Sequence, residues 1–271
     1  MIAAFCNGEP IDALPLDSRA AHYGDGAFTT MRVHSGRITF WLAHRQRLVD
    51  ACLALHLSEP DWIGLEALLH RESARLDSAI LKLALVPQSG GRGYARAWPS
   101  RCDAYVFVYA LPDIDAAVYR EGVALDLVHR DIVGGDAQGL KSLSRLEQVL
   151  LAPGKGGRDV LVVDGDGFVC SARSANVFAL FGSTWVTPPS GRGVISGVMR
   201  SMLLQSPPPG FSARVQAMHR DALNHADALI LCNAVRGIMP VRCLGDRRYL
   251  RREGVVALMH AFHPELGLPD A

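Results

Sequence analysis

Phe28-Thr29-Thr30-Met31-Arg32-Val33, then His34-Ser35-Gly36, then Arg37-Ile38-Thr39-Phe40 is the stretch on which the fold turns. Two runs of β-branched and apolar residues flank a short polar segment ending in glycine, which predicts a hairpin. Directly afterwards the period changes. Across residues 43–57, Leu48, Ala51, Cys52 and Leu55 share one helical face, with Arg45, Arg47 and Asp50 off it. A hairpin running into an amphipathic helix opens an α+β unit.

Working outward, a second helix is expected over about residues 65–76, and strands over 80–86 and 104–111. Between those strands, Ser89-Gly90-Gly91-Arg92-Gly93-Tyr94 is too rich in glycine for anything but a loop. Pro112-Asp113-Ile114-Asp115 reads as a linker, so the chain is divided into 1–112, a linker 113–120, and 121–271. In the second part, a strand over 123–129 and a loop at Gly134-Gly135 precede a helix over about 142–151, which Lys141 would open. Val160–Val163, Asp164-Gly165-Asp166-Gly167 and Phe168-Val169 form a hairpin, followed by strands near 177–181 and 228–232 and helices starting near Gly197 and Val255.

The composition narrows the class. The 271 residues are 49% hydrophobic and 20% charged, with 28 basic against 27 acidic side chains, which excludes a disordered chain and gives no field for nucleic acid. No apolar run reaches the roughly 18 residues of a membrane span. The N-terminus lacks a basic region and an apolar stretch, so a signal peptide is not expected. Six cysteines without any C-x-x-C pair read as buried small residues of a cytoplasmic protein, neither a disulfide framework nor a zinc site. His44, His56 and His70 lack ligand spacing, so no metal is expected.

Lysine usage is the chemical signal. Only Lys82, Lys141 and Lys155 are lysines; the other 25 basic residues are arginines. Only lysine forms an imine with a carbonyl, and only lysine readily lowers its pKa to act as a base. Lys155 lies in a glycine-rich loop, Lys82 reads as a solvent-face or strand-end charge, and Lys141 is the approachable one. Spacing alone leaves Lys141 open between a functional amine and an ordinary surface charge. Residues 190–200, Ser190 through Gly197-Val198-Met199-Arg200, lead a polar loop into a helix start, where free amides suit a phosphate, although a capped helix after a polar loop is the commoner reason for such a pattern.

Taken together, several segments resemble the fold type IV pyridoxal-phosphate (PLP) enzymes, and among them the aminodeoxychorismate lyase family. They are Asp17-Ser18-Arg19-Ala20 with His22 through Arg32, His44-Arg45-Gln46-Arg47-Leu48, Ser89 through Tyr94, and Leu140-Lys141-Ser142 through Leu150. Ser174-Ala175-Asn176-Val177-Phe178, Gly197 through Arg200, and Cys232-Asn233-Ala234 through Met239-Pro240-Val241 complete the set in family order. The resemblance implies a small α+β N-terminal domain and a larger barrel-like one with PLP in the cleft. It also implies a homodimer with shared active sites, acting on a small molecule.

By position it gives Lys141 the covalent attachment of PLP and the role of base, with Thr30 as its helper in proton delivery. Arg47, the amides of Val198 and Met199, and the Asn233-Ala234 turn would hold the phosphate. Ser171 and Asn176 would complete the cofactor contacts, and Thr29, Arg92 and Tyr94 would meet the substrate. The implied reaction converts 4-amino-4-deoxychorismate to 4-aminobenzoate and pyruvate in folate biosynthesis. One position departs from the pattern: the family glutamate at the pyridine nitrogen is Ser171 here, which weakens transamination more than elimination. A D-amino-acid or branched-chain aminotransferase of the same fold, or a PLP-binding homologue without turnover, are the alternatives.

Overall fold

In the computed structural model, residues 1–130, 139–152, 158–191, 193–249 and 253–269 are described. The expectations for Gly134-Gly135, Lys155 and Arg192 lie outside them. The chain forms two compact units: Met1–Pro112 with Leu140–Arg145, and Asp113–Gly139 with Leu146–Ala271. The short stretch around Lys141 thus belongs with the N-terminal residues.

The first unit holds β1 (Ala3–Cys6), β2 (Glu9–Pro10), α1 (Arg19–Tyr23), β3 (Ala27–His34), β4 (Arg37–Ile38), α2 (Trp41–Leu55), α3 (Trp62–Ser73), β5 (Ser78–Pro87) and β6 (Cys102–Ala110). Its sheet runs β2-β1-β6-β5-β3-β4, antiparallel throughout. The predicted hairpin is β3–β4, but β4 is only two residues long. The N–H and hydroxyl of Thr39 both bond the carbonyl of Arg32, at 3.0 and 3.1 Å, and Phe40 then takes φ 53°, which turns the chain into α2. At the far end His56 also takes φ 53°, and the Leu57 N–H closes on the Cys52 carbonyl at 2.8 Å, ending the helix. α3 starts before its apolar period because Asp61 caps it, accepting from the Ile63 N–H at 3.1 Å.

Alternation along β3 and β5 sends Met31, Val33, Leu81 and Leu83 to one face. There they pack with Leu48, Cys52, Leu65 and Leu69 of the two helices, and none of the eight is more than 6% exposed. Phe28, Thr30 and Lys82 are left on the other face.

The second unit holds α4 (Ala117–Arg120), β7 (Val123–His129), α5 (Leu146–Leu150), β8 (Asp159–Val163), β9 (Val169–Ala172), β10 (Asn176–Phe181), β11 (Thr184–Thr187), α6 (Val198–Gln205), β12 (Ser212–Val215), β13 (Ala228–Asn233), β14 (Gly237–Leu244), β15 (Arg247–Arg248) and α7 (Glu253–Leu266), with a 3-10 turn at Arg220–His225. Its mixed sheet runs β12-β11-β10-β13-β14-β7-β8-β9, with β15 on β14. The class is α+β, as the periodicity predicts.

One expected element is different. The helix placed over 142–151 begins only at Leu146, so Lys141 does not open it. The residues before it are extended and pair with the start of β3: the Phe28 N–H donates to the Lys141 carbonyl and the Leu143 N–H to the Gly26 carbonyl, both at 2.9 Å. Those bonds satisfy backbone groups that a helix would otherwise have used.

Candidate active site

Because Lys141 is strapped along β3, its side chain lies over that strand. Its Nζ sits 4.6 Å from the centroid of the Phe28 ring. Lys82 reaches the same ring at 4.7 Å, and Phe107 at 5.9 Å. In the sheet, Thr30 pairs with Lys82 and Lys82 with Phe107, so the three form one row across β3, β5 and β6. Lys82 is therefore no plain solvent-face charge. Its neighbours Leu81 and Leu83, both 0% exposed, mark the opposite face, and burial lowers its pKa.

Burial pulls Lys141 down to about 7, and the nearby charges of Arg47, Arg145 and Lys82 pull in the same direction. Among the described residues, every charged group that acts on this amine is a cation. At neutral pH a large share of it is the free, nucleophilic amine. Arg145 is tied to the same strap, with Nε donating to the Ser142 carbonyl at 2.9 Å and Nη2 to Ser142 Oγ at 3.0 Å.

Beneath lie Thr29 and α2. Thr29 is fully buried, and its hydroxyl meets His44 Nδ1 at 2.5 Å and Arg47 Nη1 at 3.5 Å. Arg47 donates to the Thr29 oxygen, and His44 Nδ1 shares the short hydrogen bond with the same hydroxyl. Burial, then Arg47 and Lys141, hold His44 well below the usual histidine range, so it is neutral. Thr29, expected to meet substrate, has its hydroxyl engaged by helix α2 instead. Burial lowers Arg47 to about 10, which leaves it charged at neutral pH. His44 is not among the site residues expected from the sequence. Its place four residues before Leu48, on the apolar face of α2, was the signal that it points inward.

Asp25 forms the third feature. Arg19 Nε bonds its Oδ2 at 2.8 Å and Arg96 Nε bonds the same oxygen at 2.9 Å, with a second contact from Arg96 to Oδ1. Arg19 continues to the carbonyls of Gly93, Tyr94 and Ala95, each at 3.2 Å, and so pins the glycine-rich loop. A cavity of about 600 Å³ opens there, lined among others by Tyr23, Tyr94, Arg96, Trp98 and Ser142. Tyr94 is 89% exposed and stacks obliquely on Tyr23 at 5.6 Å, while Arg92 is exposed at the loop tip.

In the second unit, α6 follows Gly197, with no side chain capping its first amides. Val198 and Met199 are buried. Asn176 fastens the preceding loop, its Nδ2 donating to the Ile195 carbonyl at 2.8 Å. A Cβ on Gly197 would stand 1.9 Å from Asn176 Oδ1, so only glycine fits. Gly197→Ala is expected to lose about 1–3 kcal/mol by overpacking, seen as a lower urea midpoint, and to shift the α6 amide resonances.

Asn233 uses its side chain on its own turn: Oδ1 accepts from the N–H groups of Val235 and Arg236 at 3.0 and 2.8 Å. Its Nδ2 donates to the Ser174 carbonyl at 3.3 Å. Ser171 is the half-buried position of β9, while Cys170 and Ala172 face inward. Arg173, beside it, is paired with Asp159 at 3.3 Å.

What the first unit offers chemically is a buried amine that readily sheds its proton, an aromatic wall, a hydroxyl, and several cations suited to an anionic group. What the second offers is a helix start with free amides, suited to a phosphate.

Known proteins carry the same plan. The profile of the Amino-transferase class IV family matches residues 26–244. An aminodeoxychorismate lyase of Vibrio harveyi is 28% identical over 241 residues, spanning 87% of this chain and 89% of the relative. A bifunctional aminodeoxychorismate lyase / D-amino acid transaminase of Mycobacterium tuberculosis is 28% identical over 261 residues, with 88% of each chain covered. The crystal structure of 4-amino-4-deoxychorismate lyase from Pseudomonas aeruginosa superposes with a TM-score of 0.88 at 27% identity, over 97% of this chain and 99% of that one. The match spans both units, from the start of β3 to the end of β14, and on it the chain belongs to the Amino-transferase class IV family.

Proposed function

We propose that the chain is a PLP-dependent lyase that converts 4-amino-4-deoxychorismate to 4-aminobenzoate and pyruvate. The observation that carries the reading is Lys141: a buried amine lowered to about 7, against an aromatic ring, with Arg47, Arg145 and Lys82 as the charged groups acting on it among the described residues. Such an amine fits an aldehyde, and its cationic surroundings fit a cofactor that carries a phosphate dianion. The start of α6, whose first amides no side chain caps, fits a phosphate as well. When bound, PLP supplies an electron sink for negative charge at the amine-bearing carbon.

The chain's own groups then have these roles. Lys141 Nζ binds the cofactor covalently, and once freed it takes the proton from the substrate carbon. Thr30, on the Lys82 row of the sheet, relays a proton through its hydroxyl. Phe28 walls one side of the amine against water. Arg47, steadied by Thr29, and the amides of Val198 and Met199 with the Asn233-Ala234 turn are assigned to the phosphate; Asn176 and Ser171 to the rest of the cofactor. Arg92 and Tyr94 are assigned to the substrate carboxylates. The reading carries with it a cytoplasmic homodimer and a place in folate synthesis.

Two measurements test it. Purified protein with PLP should release pyruvate from enzymatically made 4-amino-4-deoxychorismate in a coupled assay, with 4-aminobenzoate in equal amount. Binding of PLP without pyruvate release refutes the lyase; amino-group transfer from D- or branched-chain amino acids at matching rates favours the aminotransferase instead. The rate of PLP uptake by the cofactor-free protein should also fall about tenfold per pH unit below pH 7, as Lys141 takes up a proton and loses its nucleophilic lone pair. A flat profile between pH 5 and 7 contradicts the assignment.

A further inference from the structure

A second amine shares the aromatic wall of Lys141. Lys82 Nζ lies 4.7 Å from the centroid of the Phe28 ring, and Lys141 Nζ lies 4.6 Å from the same centroid. Phe107 approaches Lys82 from β6 at 5.9 Å, and Thr30 stands directly across from it on β3. One small molecule seated on this face of the sheet can therefore touch both amines. Of the cations beside Lys141, Arg145 bonds Ser142, and Arg47 bonds Thr29 and is assigned to the phosphate. Lys82 has no such engagement: among the described residues its amine makes no hydrogen bond and no ion pair, and it meets only ring faces. A ring attracts the charge without taking up its N–H groups as an anion would. The side chain is half-buried, so those donors remain within reach of a ligand, whereas Arg32, the next cation along β3, is 4% exposed.

The geometry points to Lys82 as a substrate-binding residue that holds a carboxylate of the substrate beside the reacting amine. The assignment rests on the lyase reading above. That substrate carries one amine, which must come to Lys141, and two carboxylates. One carboxylate lies across the ring from the amine. The other ends the arm that leaves as pyruvate, which is attached to the carbon next to the amine-bearing one. Either is an anion fixed at short range from the amine, and Lys82 offers it a charge-assisted hydrogen bond. The placement is rigid, because β5 is bonded along its length to β3 on one side and β6 on the other. Arg92 and Tyr94, by contrast, stand in the exposed glycine-rich loop. An amine that brings no carboxylate leaves the Lys82 donors unpaired against the rings, so the residue also selects among substrates.

The test compares the PLP-loaded full-length wild type with Lys82→Met, which keeps the length of the stem and removes the charge. Binding of three probes is measured by calorimetry: 4-aminobenzoate, which keeps the ring carboxylate; pyruvate, which keeps that of the arm; and aniline, which has neither. The expected result is a loss of about tenfold in affinity for 4-aminobenzoate or pyruvate, with aniline unchanged. Loss confined to 4-aminobenzoate assigns Lys82 to the ring carboxylate, and loss confined to pyruvate assigns it to the arm. In turnover, KM for 4-amino-4-deoxychorismate should rise by a similar factor while kcat falls less. Lys82→Arg, which keeps the charge, should retain the preference for the carboxylate. Unchanged affinity for both acids, or an equal loss for aniline, overturns the proposal. Lys82→Gln gives the same reading if the methionine variant does not fold. A wild type that releases no pyruvate refutes the lyase reading, whereas the role of Lys82 is decided separately by the binding of the three probes.

Discussion

Lys141→Met is expected to abolish pyruvate release, lowering turnover by about four orders of magnitude or more, while making the cofactor-free protein more stable. Both effects have one origin. On the proposed reading the amine reacts because it is buried among cations, and for the same reason it opposes folding. Its ordinary value of 10.5 falls to about 7 in the folded state. At about 1.4 kcal/mol per unit, and with allowance for local relaxation, relieving that burden is worth on the order of 3–4 kcal/mol at neutral pH. Methionine matches the length of the stem and leaves no cavity. The sign gives a further check. Between pH 7 and 10.5 the unfolded chain keeps a proton that the folded protein has already shed, so wild-type stability climbs through that window. The gap between the two proteins should therefore narrow as pH rises towards 10.5, in urea titrations at fixed temperature. A Lys141→Met protein less stable than wild type at pH 7 would mean that the amine has a counter-ion.

Asp25→Ala should be the most damaging change in the first unit outside its apolar core. The carboxylate is 10% exposed and is gripped by Arg19 and Arg96, whose side chains are 7% and 24% exposed. Truncation leaves two guanidinium groups buried without their anion, which typically costs about 3–5 kcal/mol. Asp25→Asn keeps the shape but not the charge, and should fall between. Burial pushes the Asp25 carboxyl up, but the hydrogen bonds and charges of Arg96 and Arg19 outweigh it and hold it below the ordinary value. Its contribution is therefore present at neutral pH and is lost as pH falls through that lowered value. Arg19 also holds the carbonyls of residues 93–95, so the variant should expose the loop to trypsin at Arg92 and Arg96, read by limited proteolysis.

The parts of this structure legible in the sequence are those built from neighbours in the chain. The β3–β4 hairpin and α2 follow from a period of two giving way to a period of 3.6, and both are where that change places them. The ends of α2 shift by two residues because Phe40 and His56 adopt left-handed backbone, for which neither residue carries a composition signal. The surroundings of Lys141 were not legible. Its strap is extended only because β3, far back in the sequence, supplies the hydrogen bonds; locally, Ser142 through Leu150 reads as a helix start. Lys82 was misread for a related reason. Its strand alternates correctly, but what covers the second face depends on Phe28 and Phe107 from two other strands. The lysine census singles out Lys141 on chemistry that arginine cannot perform, and the structure gives that amine a buried place beside the Phe28 ring.

The most direct measurement is reduction of the PLP-loaded protein with borohydride, followed by tryptic mapping. The account predicts a pyridoxyl group on Lys141 alone, blocking cleavage there and appearing in the peptide that spans residues 131–145. A label on Lys82 or Lys155, or none, would contradict it.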